Sequence, residues 1–249
     1  MGVTFRADIR WPENELLFPA DWFGVRPPPG LDLGHVRTPK YLPVLEMQKR
    51  LRSSAVRTGG AGTLATVDGL VDAELTVRYA DLAAQWRRLP GPDGKPSTRG
   101  PGRFQFTGGE VVLDLRIGLF LVSFVEPDLK DDLSIKIFAA HYGHELLHVL
   151  DETDVVKTWL PPQALADPFV AKTLVRQEPF TYGTTSQTIA EVVAEFRERI
   201  TATTHDAIRN GLWAPEVNRR QAIRDAPAEY KKVQDVVNAL RAAQVNRRR

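Results

Sequence analysis

The chain has 249 residues, enough for one large domain or two small ones, and its 43% hydrophobic and 26% charged residues are those of a globular protein. A formal net charge of +2 gives no argument for nucleic-acid binding, and the absence of cysteine excludes both a disulfide framework and a thiolate metal site. No basic patch followed by an apolar run marks a Sec-type signal peptide at the N-terminus, and the most apolar stretch, 117–125, is too short to span a bilayer.

Residues 1–60 read as an irregular N-terminal arm, rich in turns such as Pro27-Pro28-Pro29-Gly30 but ordered, because Trp11, Phe18, Trp22 and Phe23 need burial. Helical spacing of apolar residues predicts helices within 41–53 and 72–89, and the Pro- and Gly-rich segment 90–102 is a loop. From Arg103 the pattern changes to strands: 103–107, a Gly108-Gly109 turn and 110–125 read as a hairpin or longer meander. Leu133–Phe138 is a short strand candidate that runs into a buried helix over Ala139–Asp151. The C-terminal part is mainly helical. It comprises a helix over 162–175 interrupted near Pro168, one capped by Thr185 or Ser186 and ending near Ile200, and Ala214–Val245 with a kink at Pro227. The fold class that results is α+β.

The Ala139–Asp151 helix carries His144-Glu145-Leu146-Leu147-His148, an HExxH stretch. Residues four apart share a helix face about 6 Å along the axis, so two imidazoles can occupy two corners of a tetrahedral Zn²⁺ site. Glu145, between them, is placed to act as general base on the attacking water.

A catalytic zinc needs a third protein ligand, and three residues are candidates. His141 lies three residues before His144, but three histidines on two turns of one helix would strain a tetrahedron. Asp154 stands ten residues after His144, the spacing of HExxHxxGxxH enzymes, but Asp151 occupies the position where that pattern has its turning glycine. Glu191 follows His148 by 43 residues on a second predicted helix, whose Ile189, Val192, Val193 and Phe196 supply packing.

The stretch His144 to Asp151, followed by Tyr182-Gly183 and Glu191-Val192-Val193-Ala194-Glu195-Phe196, resembles the anthrax lethal factor and Pro-Pro endopeptidase group of zinc metallopeptidases, with valines where that group has aromatics. The resemblance covers about residues 139–200. It implies a zincin-like (gluzincin-type) catalytic domain over 61–249, with a small mixed sheet packed on the HExxH helix. It also implies His144, His148 and Glu191 as zinc ligands, Glu145 as base and the Tyr182 hydroxyl as oxyanion donor. Asp151 and Glu195 would orient the imidazoles from behind, and His35 and His205 are structural.

The function so implied is zinc-dependent endopeptidase, acting as a toxin or effector, on a peptide or protein bound as an added strand along the Leu133–Phe138 edge. Localisation stays open between the cytosol and export by a dedicated system. The alternative is a non-catalytic zincin scaffold that binds a partner, against which the intact Glu145 argues.

Overall fold

The computed structural model describes residues 2–10, 17–19, 35–37, 40–43, 45–46, 49, 69–91, 94, 98–122 and 131–247. It is a mixed α+β structure with small sheets. In chain order the strands are β1 (Val3–Arg10), β2 (Leu17–Pro19), β3 (His35–Arg37), β4 (Lys40–Leu42) and β5 (Gly69–Tyr79), followed after a short helix α1 (Leu82–Gln85) by β6 (Trp86–Leu89), β7 (Gly102–Phe106) and β8 (Gly109–Val122). The long helix α2 (Asp132–Asp154) runs into a π-helical segment, Val155–Trp159, then α3 (Leu160–Ala166) and α4 (Pro168–Val170). After β9 (Phe180–Tyr182) come α5 (Ile189–His205), α6 (Ala214–Arg224) and α7 (Pro227–Arg247).

Strand β8 is the spine of the largest sheet, ordered β1-β8-β4 with β5 also on β8, and the β4–β8 pairing is parallel. Its Val111 to Leu115 are buried without alternation, as in a strand covered on both faces. A second sheet orders β6-β7-β9 antiparallel, with Trp86 opposite Phe106 and Gly102 opposite Tyr182. Strands β2 and β3 form an antiparallel pair.

Contacts divide the chain into two units interleaved in sequence. The first comprises Met1–Asp8, Leu75–Leu115 and Val155–Ala214. Its core is aromatic: Phe104 stacks on Phe196 at 3.7 Å between ring centroids, and Trp86 meets Phe196 and Phe106 edge-on at 5.2 and 5.6 Å. The buried Tyr79 hydroxyl lies 2.7 Å from Thr204 Oγ1, which satisfies the one polar group of that ring. The second unit comprises Ile9–Glu74, Arg116–Asp154 and Pro215–Arg249, and in it α7 packs along α2.

Several elements differ from the sequence expectation. Residues 3–10 of the expected irregular arm are a strand in the main sheet, while Pro27 to Gly30, Trp11, Trp22 and Phe23 lie outside the described residues. The helix expected over 41–53 begins in strand β4, and most of it lies outside the described residues. The helix expected over 72–89 is β5, one turn of α1 and β6. The reason is a period of two: Val71, Ala73, Leu75, Val77 and Tyr79 are buried while Glu74 and Thr76 are exposed. The Gly108-Gly109 turn does join two strands, but β7 and β8 enter different sheets instead of pairing as a hairpin. Both glycines have positive φ, 109° and 141°, which lets the chain leave one sheet for the other.

The strand expected over Leu133–Phe138, and with it the expected substrate edge, is instead the first turns of α2. Asp131 accepts the Leu133 amide at 3.1 Å through its carboxylate and the Ile135 amide through its carbonyl, which starts the helix there. Phe138, Tyr142, Leu146, Val149 and Leu150 then bury one continuous helical stripe. In the C-terminal part the interruption comes at Asp167-Pro168, where the Asp167 carboxylate caps the Phe169 and Val170 amides. The kink expected at Pro227 is a full break that separates α6 from α7.

Candidate metal centre

Helix α2 presents both imidazoles and the intervening carboxylate to the interior: His144, Glu145 and His148 are 8%, 6% and 6% exposed. The two rings stand nearly perpendicular, with Nε2 atoms 3.4 Å apart. Facing them is an acid that no sequence pattern had indicated. Asp225 Oδ1 lies 3.4 Å from His144 Nε2 and 3.1 Å from His148 Nε2.

Asp225 reaches this position because the chain breaks there. Its amide still donates to the Gln221 carbonyl as the last bond of α6. Pro227, which has no N–H and disfavours helical geometry in the residue before it, prevents α6 from continuing. The Ala226 carbonyl then accepts the Glu229 and Tyr230 amides and α7 begins. The Tyr230 ring stands edge-on to His144 at 5.6 Å between centroids.

These three donors fit a metal ion. Tetrahedral ligands about 2.0–2.1 Å from a zinc ion lie about 3.3–3.4 Å from one another. The observed separations of 3.1, 3.4 and 3.4 Å are close to such a face, so the two imidazoles and the carboxylate could hold a metal ion. The electrostatics couple the acid to the imidazoles. Burial alone would lower the His148 pKa, but the carboxylates of Asp225, Glu145 and Asp151 more than offset it and raise it. Burial would raise the Asp225 pKa, yet the two imidazoles hold it well below the usual carboxylate range.

Glu145 packs against the start of strand β5. Gly69, the first residue of that strand, lies so close that a Cβ there would meet Glu145 Oε1 and come within 2.5 Å of its Cδ and Cγ. A side chain at position 69 would displace the carboxylate from this place.

The other residues singled out by sequence do not join the group. Glu191 is the N3 residue of α5, in the first unit, and its carboxylate completes a capping box by accepting the Thr188 amide at 2.8 Å. Those bonds to Thr188, amide first, lower its pKa. Tyr182 ends β9 in the same unit. Glu195 accepts from the Gln187 amide nitrogen at 2.8 Å. Asp154 binds Arg220 at 2.7 Å, and Asp151, instead of orienting an imidazole, takes a two-bond grip from Arg224 at 2.7 and 3.1 Å. His141 is buried on α2 outside the ligand group, and His205 ends α5. Nothing local in the sequence marks Asp225 beyond an acid just before a helix-breaking Ala-Pro, far downstream of the histidines.

Among the described residues no helix is long and apolar enough to cross a membrane. No protein-family model, curated protein or solved structure matches the chain.

Proposed function

We propose that the chain is a zinc-dependent hydrolase that cleaves peptide bonds, with His144, His148 and Asp225 as the metal ligands and Glu145 as the general base. The observation that carries this reading is the three-donor face with tetrahedral spacing, directly beside a buried carboxylate from the same helix. Zinc held there would supply Lewis-acid polarisation of a carbonyl and make water acidic near neutral pH. The Glu145 carboxylate would take the proton of the attacking water and return it to the leaving amine. Tyr230 walls the site beside His144.

The choice of a peptide as substrate rests on the resemblance of the HExxHxxD half of the motif to the lethal-factor and Pro-Pro endopeptidase group; action as a toxin or effector rests on the same ground. In this reading Asp225 takes the place that the resemblance gives to Glu191, and the domain is zincin-like. Strand β5 supports an added-strand mode of binding, because among the described residues it pairs with β8 alone and its first residue touches Glu145.

Two measurements test the proposal. Chelator-free protein should contain one zinc per chain, and Glu145→Gln should retain that zinc while losing about 10²–10⁴-fold in peptide hydrolysis. A Glu145→Gln variant as active as wild type across a peptide library would refute the catalytic reading.

A further inference from the structure

Asp225 is the one donor of the group that no regular element carries, and its side chain is 59% exposed, so packing does not hold it. What surrounds it is a set of polar bonds between the last turn of α6 and the end of α2. Arg224, the preceding residue, donates from Nε to Asp151 Oδ2 at 2.7 Å and from a terminal nitrogen to Oδ1 at 3.1 Å. Asp151 follows His148 by three residues and so lies on the same face of α2. One turn earlier, Gln221 donates to Glu152 at 3.3 Å, and Arg220 bridges Asp154 and Glu216 at 2.7 and 2.8 Å. The end of α6 is thereby registered to the helix that carries both histidines.

The Arg224 guanidinium also answers a charge on the histidine-bearing helix. Asp225 approaches a helix that already holds the carboxylates of Glu145 and Asp151 near His148. A guanidinium fixed by two parallel bonds both neutralises Asp151 and sets the direction of the chain that follows.

We propose that Arg224 is a positioning residue of the metal centre: its paired bonds to Asp151 set where Asp225 stands against His144 and His148, so that the three donors are assembled before any metal arrives. The inference rests on the reading of those three residues as metal ligands.

The test is zinc affinity of the full chain, measured by competition with a chromogenic chelator, together with the visible absorption of the Co²⁺-loaded protein. Arg224→Ala should weaken affinity about 10–100-fold and alter the Co²⁺ spectrum, as loss of an outer partner does at other metal sites. Arg224→Lys, which keeps the charge but makes one bond, should recover part of the affinity. Arg219→Ala should match wild type, since Arg219 is 60% exposed and pairs with Glu216. Wild-type affinity and spectrum in Arg224→Ala, alongside weakened binding in Asp225→Asn, would overturn the positioning role alone. Failure of wild type to bind zinc, or full affinity in Asp225→Asn, would overturn the ligand set and the inference with it.

Discussion

Replacing Gly69 by alanine should separate metal binding from catalysis. The added methyl carbon would stand 2.5 Å from Glu145 Cδ and Cγ. Carbon atoms in ordinary contact lie about 3.5–4.0 Å apart, so Glu145 must shift by about 1 Å or more. The displaced group is a flexible side chain and not backbone, so the fold can absorb the change. A 1 Å error in the position of a reacting group costs about 10²-fold in rate, which is the expected loss in kcat for Gly69→Ala. Zinc content should stay at the wild-type value, because Glu145 lies outside the ligand group. Turnover of a quenched-fluorescent peptide pool, read beside metal analysis and thermal unfolding, distinguishes the outcomes. Undiminished kcat would show that the Gly69 contact does not position the base, and lost zinc would show that the contact shapes the metal site itself.

Other consequences concern the α5 cap and the Glu216 ion pairs. Thr188→Ala removes the N-cap of α5 and should cost about 1 kcal/mol of stability in urea unfolding without changing zinc affinity; weakened zinc binding would tie that cap to the site. Glu216, gripped by Arg219 and then by Arg220, has its pKa lowered from 4.5 to about 2. Because the folded-state value is the lower one, its stabilisation is complete above the unfolded value and is lost as pH falls from about 4.5 towards 2. The stability difference between wild type and Glu216→Gln should therefore be flat above pH ~5 and close below it, and a difference unchanged across that window would contradict the assignment.

How far the sequence could be read depended on how local each signal was. Helix α2 was legible because its apolar stripe and the two histidines obey one helical period within a single element, although its N-terminal turns around Ile135 and Phe138 passed for a strand. Apolar and β-branched runs are ambiguous at that length, and the Asp131 cap decides the matter. Strand β5 is ambiguous in sequence because Leu75, Tyr79, Leu82 and Trp86 also fit a helical spacing. The alternation that wins depends on Glu74 and Thr76 facing solvent, which is set by tertiary packing. Glu191 looked like a ligand because a capping box and a ligand-bearing helix both place an acid in the first turn. Asp225 is illegible for the opposite reason: its place beside the histidines is a matter of tertiary packing, in which the neighbouring Arg224–Asp151 and Arg220–Asp154 pairs join residues some seventy positions apart. The break at Pro227 was visible, but nothing in the sequence says that the acid before it turns towards the histidines.

The central claim is the identity of the third ligand, and zinc stoichiometry in paired variants tests it most directly. Asp225→Ala should lose tightly bound zinc while Glu191→Ala keeps one ion per chain. Retention of zinc by Asp225→Ala, with its loss from Glu191→Ala, would contradict the account.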